Sequence, residues 1–95
     1  MYNIESSSNF QRKLKKLISK NTALKAKFEK ALATLVKTPK HASLKTHKIN
    51  FSEDANIYSS YVTGDIRIIW ELYNETITIL LLDIGGHSGA KSVYK

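Results

Sequence analysis

The sequence has no cysteine. That excludes a disulfide framework, a thiolate nucleophile and a Cys-ligated zinc site, and it makes the cytoplasm the expected compartment. No uninterrupted apolar run comes near the roughly 20 residues that a bilayer-spanning helix needs, so no membrane partner is expected. The first ten residues, MYNIESSSNF, lack the basic start and apolar stretch of a secretion signal. Internal repeats, linkers and low-complexity stretches are also missing, and the 95 residues read as a single domain over 1–95. Acidic residues are scarce: eight Asp and Glu stand against fifteen Lys and Arg, a net charge of +7.

What is present is enough apolar material for one small core, 42% of residues, and a positive charge suited to a polyanionic partner. The charge is unevenly spread. Up to Lys48 there are twelve basic residues and two acidic ones; from Ile49 onward there are three basic and six acidic. The positive field therefore belongs to the first half of the chain.

Tyr2 and Ile4 alternate with polar neighbours as in a short strand. Ser8 with Gln11 three residues later has the form of a capping box, so a helix is expected to start there. Phe10, Leu14, Leu17 and Ile18 form one stripe of it, with Lys13, Lys16 and Lys20 opposite. Asn21-Thr22 offers a second cap, and Leu24, Phe28, Ala31, Leu32 and Leu35 keep helical spacing until Thr38-Pro39, where the single proline ends the run. After a polar stretch over 40–56, residues 57–62, 66–73 and 76–84 are rich in β-branched and aromatic side chains, as expected of two antiparallel hairpins. In the middle strand Ile66, Ile68, Trp70 and Leu72 share one face, and Arg67, Ile69 and Glu71 the other. The nearly continuous apolar run Ile77, Leu80, Leu81, Leu82 predicts a third strand covered on both sides. The predicted fold class is α+β, in the order β-α-α-β-β-β, with a helical hairpin packed on one face of an antiparallel sheet.

Three histidines could move protons near neutrality: His41, His47 and His87. Their spacing matches no common metal motif, so neither a metal nor a cofactor is expected. His87 sits in the glycine-rich segment Asp83-Ile84-Gly85-Gly86-His87-Ser88-Gly89, which is not a phosphate-binding P-loop because the glycine order and the following Lys-Ser/Thr are wrong. Arg67 projects from the strand face opposite the core. It reads either as a rigid two-pronged donor for phosphate or as the ion-pair partner of Glu71, two residues on.

Leu44-Lys45-Thr46-His47-Lys48-Ile49, the run from Val62 to Trp70 (VTGDIRIIW), and Asp83-Ile84-Gly85-Gly86-His87-Ser88, taken with the order of elements, resemble the RelE/ParE superfamily of type II toxins over nearly the whole chain. The last segment is especially similar to the YafQ-like branch. The resemblance implies a RelE-like fold and a ribosome-dependent, metal-independent mRNA endoribonuclease that inhibits translation. By position, His47 matches a catalytic histidine of the YafQ-like branch, Asp65 its acid and His87 its principal catalytic histidine. Arg67 falls on the arginine with which RelE holds phosphate, and Tyr94 near the C-terminal catalytic tyrosine of RelE. Lys45 and Lys48 lie close to RNA-binding lysines of RelE. Tyr61 replaces a histidine of the YafQ branch, and His87 stands where RelE has an arginine, so the site is a mixture of the two.

Cutting RNA without metal needs a base for the ribose 2′-hydroxyl, cations for the phosphorane and an acid for the departing 5′-oxygen, which His87, His47 and Arg67 could supply. Lys13, Lys16, Lys20 and Lys91 are expected to join Lys45 and Lys48 in contacting RNA phosphates. The expected partners are the ribosome with its mRNA and an acidic, partly disordered antitoxin, with operator DNA bound only as a complex with that antitoxin. Three other readings are a ParE-like inhibitor of DNA gyrase, a basic RNA-binding protein that occupies the ribosome without cleaving, and a degenerate toxin that retains only the fold and antitoxin binding.

Overall fold

Ser7, held in extended backbone by its N–H on the Leu81 carbonyl at 2.9 Å, is the last residue tied to the sheet before the chain turns into helix. In a computed structural model, which describes residues 1–49 and 56–86, it is Ser7 and not Ser8 that caps the first helix. Its Oγ accepts from the Phe10 N–H at 3.0 Å, and Gln11 reaches back to the Ser6 Oγ at 2.9 Å, so the capping pattern stands one residue earlier than the sequence predicts. The elements are β1 (Asn3–Ser6), α1 (Ser8–Ile18), α2 (Thr22–Lys37), a short 3₁₀ turn (Ala42–Leu44), β2 (His47–Lys48), β3 (Ile57–Tyr61), β4 (Ile66–Tyr73) and β5 (Thr78–Gly86). Asn21 caps α2 as expected, its side-chain oxygen accepting from the Leu24 N–H at 3.0 Å.

The five strands lie in the order β1-β5-β4-β3-β2. β3, β4 and β5 form the two antiparallel hairpins of the expectation. β1 joins beside β5 in parallel, with Asn3 opposite Thr78, which makes the sheet mixed; β2, within the stretch predicted only as polar, adds a two-residue edge against β3.

The last hairpin departs from the predicted boundaries. Asn74-Glu75 lacks the glycine that a tight two-residue turn prefers, so the turn widens to residues 74–77 and β5 begins at Thr78. Ile77, predicted as a strand residue, carries the left-handed conformation (φ 50°) and is 54% exposed. For a β-branched residue that conformation costs on the order of 1–3 kcal/mol.

The run of leucines in β5 also has a different cause from the predicted double cover. Ile69 pairs with Asp83 but Trp70 pairs with Leu81, which leaves Leu82 as an extra residue in a β-bulge. The bulge resets the alternation, so that Ile79, Leu81 and Ile84 all face the helices and are buried. The Leu82 carbonyl then accepts from Ser7 Oγ at 2.9 Å and Asn9 Nδ2 at 3.3 Å, docking the start of α1 onto the bulge. Phe10 and Phe28, ring centroids 6.0 Å apart, join the helices to each other and, with Leu35, Ile68 and Trp70, make one core on a single side of the sheet.

Candidate functional site

The strand register decides which predicted residues meet. Across the sheet, His47 stands opposite Ser59, Ser59 opposite Ile69 and Ile69 opposite Asp83. In the next row Tyr61 stands opposite Arg67, and Arg67 opposite Gly85, which has no side chain. Since Ile68 and Trp70 point into the helix-side core, both rows lie on the opposite face, where Ser59 and Ile69 are themselves buried and Asp83, at the end of its row, is reached by Lys13 of α1.

On that face the Tyr61 ring collects two cations. The Arg67 guanidinium lies 4.6 Å from the ring centroid and the Lys45 ammonium 5.0 Å from it. The negative face of the π-system offsets part of the repulsion between them, each contact contributing about 0.5–1 kcal/mol when partly exposed. Arg67 is further fixed by Nη1, which donates to the Thr63 carbonyl at 2.6 Å. Among the described residues it forms no ion pair. Glu71, the alternative partner, instead accepts from the Tyr73 hydroxyl at 3.0 Å. That hydrogen bond, with partial desolvation and the charge of Glu71 adding to it, raises the Tyr73 phenol above its ordinary range.

Lys45 reaches the ring because it ends the 3₁₀ turn in left-handed conformation (φ 46°). The loop that carries it is tied to the core by a chain of hydroxyls. Trp70 Nε1 donates to Ser60 Oγ at 2.8 Å; Ser60 and Thr46 share a hydrogen bond of 2.6 Å; Thr46 donates to the Pro39 carbonyl at 2.7 Å. This chain fixes the residues on either side of Thr46. His47, exposed on β2, has Nδ1 3.4 Å from the Lys45 carbonyl.

The remaining predicted residues divide. Asp65 is exposed in the β3–β4 turn, its N–H on Thr63 Oγ1 at 3.2 Å, at the same end of the hairpin as Arg67. Lys48 pairs with Tyr58, whose side chain faces the helices, so it lies on the other face from His47. Lys13 is held by Asp83 at 2.8 Å, whereas Lys16 and Lys20 are exposed. His87, Lys91 and Tyr94 lie outside the described residues. Gly86, directly before His87, pairs with Ile66, one position from Arg67.

The sequence reading did not find the role of Tyr61 as the ring beneath two cations, nor that of the Thr63 carbonyl. A signal existed: a hairpin centred on Gly64 puts positions 61 and 67 opposite each other. Among the described residues no three His, Asp or Glu stand together as a metal-holding group, and no helix is long and apolar enough to cross a membrane.

No protein-family model and no curated protein matches the chain. Solved structures do. A metal-bound toxin from Helicobacter pylori superposes with a TM-score of 0.76 at 23% identity, over 92% of this chain and 96% of that one. A chain of the archaeal RelE-RelB complex from Pyrococcus horikoshii gives 0.74 at 20% identity, over 94% and 98%. A chain of the Escherichia coli DinJ-YafQ toxin-antitoxin complex gives 0.68 at 21% identity, over 90% and 92%. At such identities the common property is the path of the backbone, covered nearly end to end in each pair, and the two helices on a mixed five-stranded sheet are the fold of the RelE- and YafQ-like toxins.

Proposed function

We propose that this chain is the toxin of a toxin–antitoxin pair, a cytoplasmic endoribonuclease that cuts mRNA on the ribosome without a metal ion. The observation that carries the reading is the pairing of Arg67 and Lys45 on the Tyr61 ring, with His47 on the same helix-free face. A fixed guanidinium beside a second cation suits a phosphodiester whose charge grows in the transition state.

In the reaction, a general base removes the proton of the ribose 2′-hydroxyl and the 2′-oxygen attacks the adjacent phosphorus. The bond to the 5′-oxygen breaks, a general acid protonates that oxygen, and the other product is a 2′,3′-cyclic phosphate. His87 and His47 share the acid and base roles, Arg67 and Lys45 neutralise the phosphorane, and Asp65 and Tyr94 complete the set. Lys13, Lys16, Lys20, Lys48 and Lys91 contact RNA backbone, a role that Lys13 takes only by releasing Asp83.

An acidic antitoxin is the partner this charge attracts, and structural neighbours are complexes of RelE with RelB and of YafQ with DinJ. The reading is tested by primer extension on mRNA translated with and without the protein. New 5′ ends that require ribosomes are the expected result. Their absence, together with inhibition of DNA gyrase, would instead make the chain an inhibitor of that enzyme.

A further inference from the structure

Behind Tyr61 a groove of about 350 Å³ runs between α2, the 3₁₀ turn and the β3–β4 turn. Lys27 and Lys30 form its rim; they are exposed, one helical turn apart, and in no ion pair among the described residues. Ala31, Leu44 and Val62 form an apolar floor, each buried in the core. Two residues join the groove to the cation cluster: Tyr61, whose ring bears Arg67 and Lys45, and Thr63, whose carbonyl holds Arg67.

We propose that this groove receives the nucleotide next to the cut in the RNA strand, the base on the apolar floor and the flanking phosphates on Lys27 and Lys30. The proposal rests on the nuclease reading above. A strand whose phosphodiester lies at Arg67 and that continues past Tyr61 meets on this side two ammonium groups that are unpaired among the described residues, around a floor of Ala31, Leu44 and Val62. The volume is at the lower end of the range for pockets that hold small ligands, which suits one nucleotide better than a packed helix. An acidic protein segment would find the same two lysines, but the direct continuity with Arg67 and Lys45 favours the strand being cut.

The test uses the full chain and ribosomes programmed with an mRNA that carries a 2′-deoxynucleotide at the cut position. That substitution removes the nucleophile, so the complex persists. 4-Thiouridine is placed on either neighbouring nucleotide, and crosslinks are mapped by mass spectrometry. One neighbour is expected to crosslink within 27–31 or 61–64. Reversing both charges, K27E with K30E, should lower that yield and the cleavage of unmodified mRNA by about tenfold or more, the scale of one or two charge-assisted contacts. The pair K25E and K37E, on the same helix but outside the groove, should lower them less, with unchanged thermal midpoints in both variants.

Crosslinks from both neighbours confined to residues outside the groove, with cleavage intact, overturn the groove and leave the nuclease. A protein that neither cuts nor crosslinks overturns both. If a hexaglutamate peptide shifts the amide resonances of Lys27, Ala31 and Gly64 while an RNA hexamer does not, the groove belongs to an acidic protein partner and the proposal fails.

Discussion

On the face of β4 that meets the helices, Ile68 and Trp70 are 1% and 0% exposed, and the polar chain from the Trp70 indole to the Pro39 carbonyl has a partner for every hydrogen. On the opposite face of the same strand, Arg67 and, from the neighbouring loop, Lys45 share an aromatic ring, and the hydrogen bonds of Arg67 to described residues all run through one nitrogen, Nη1. On that outer face Ile69 is also buried, so the contrast rests on Arg67, whose other nitrogens donate to no described residue. The difference separates the residues that hold the domain together from those to which the proposed function gives the chemistry, and it can be broken from either side.

The largest effect should come from the covered face. Trp70→Ala removes the ring stacked on Tyr58 at 4.7 Å and is expected to cost about 3–5 kcal/mol in urea denaturation, enough to unfold a marginal domain. Among the residues proposed for the chemistry, His87→Ala should lower cleavage of ribosome-bound mRNA by about 100-fold or more, the usual scale for losing a general acid or base. Full activity of that variant would remove His87 from the chemistry.

Ser60→Ala sharpens the contrast, because it leaves the buried Trp70 N–H without its partner and should cost about 1–3 kcal/mol. It should also loosen the Lys45–His47 loop, so hydrogen exchange at Thr46 would quicken beyond the change in global stability. Arg67→Lys keeps the charge and loses the fork. Cleavage should fall by about tenfold, the loss of one charge-assisted hydrogen bond, while stability hardly moves. An unaltered rate would return Arg67 to a purely structural role.

Tyr73 supplies the smallest effect. Its pKa is raised in the folded chain, so the stability linked to it is complete below the unfolded value of about 10 and is lost as pH rises through the folded value. Tyr73→Phe should therefore flatten stability against pH only within that window, above about pH 10, as read from denaturation midpoints.

Much of the architecture was legible because periodicity reports burial directly. The helix stripes, the Asn21 cap, the proline stop and the alternation in β4 each follow from local rules. What escaped depends on partners distant in sequence. The Leu82 bulge looks like a continuous apolar strand until β4 is laid beside it. The first cap moves to Ser7 because β5 holds that residue, and the parallel seat of β1 is set by β5 as well. At the candidate site, Arg67, His47 and Lys45 could be picked out singly, by type and by resemblance. Their arrangement around Tyr61 required the register of β2, β3 and β4, and the Lys45 contact required a left-handed residue that no glycine announces.

The parallel pairing of β1 with β5 has a kinetic meaning. Asn3 and Thr78 are separated by most of the chain, and β5, which lies between β1 and the central β4, is the last strand synthesised among the described residues. Closing so long a loop is slow compared with forming the α1–α2 or β3–β4 hairpins, which draw on neighbours. A nascent chain can therefore make its basic helices and its Tyr61–Arg67 hairpin early, yet it completes its core only after residue 86 has left the ribosome. The packed core thus forms in one late step, well after the helices and the β3–β4 hairpin can form.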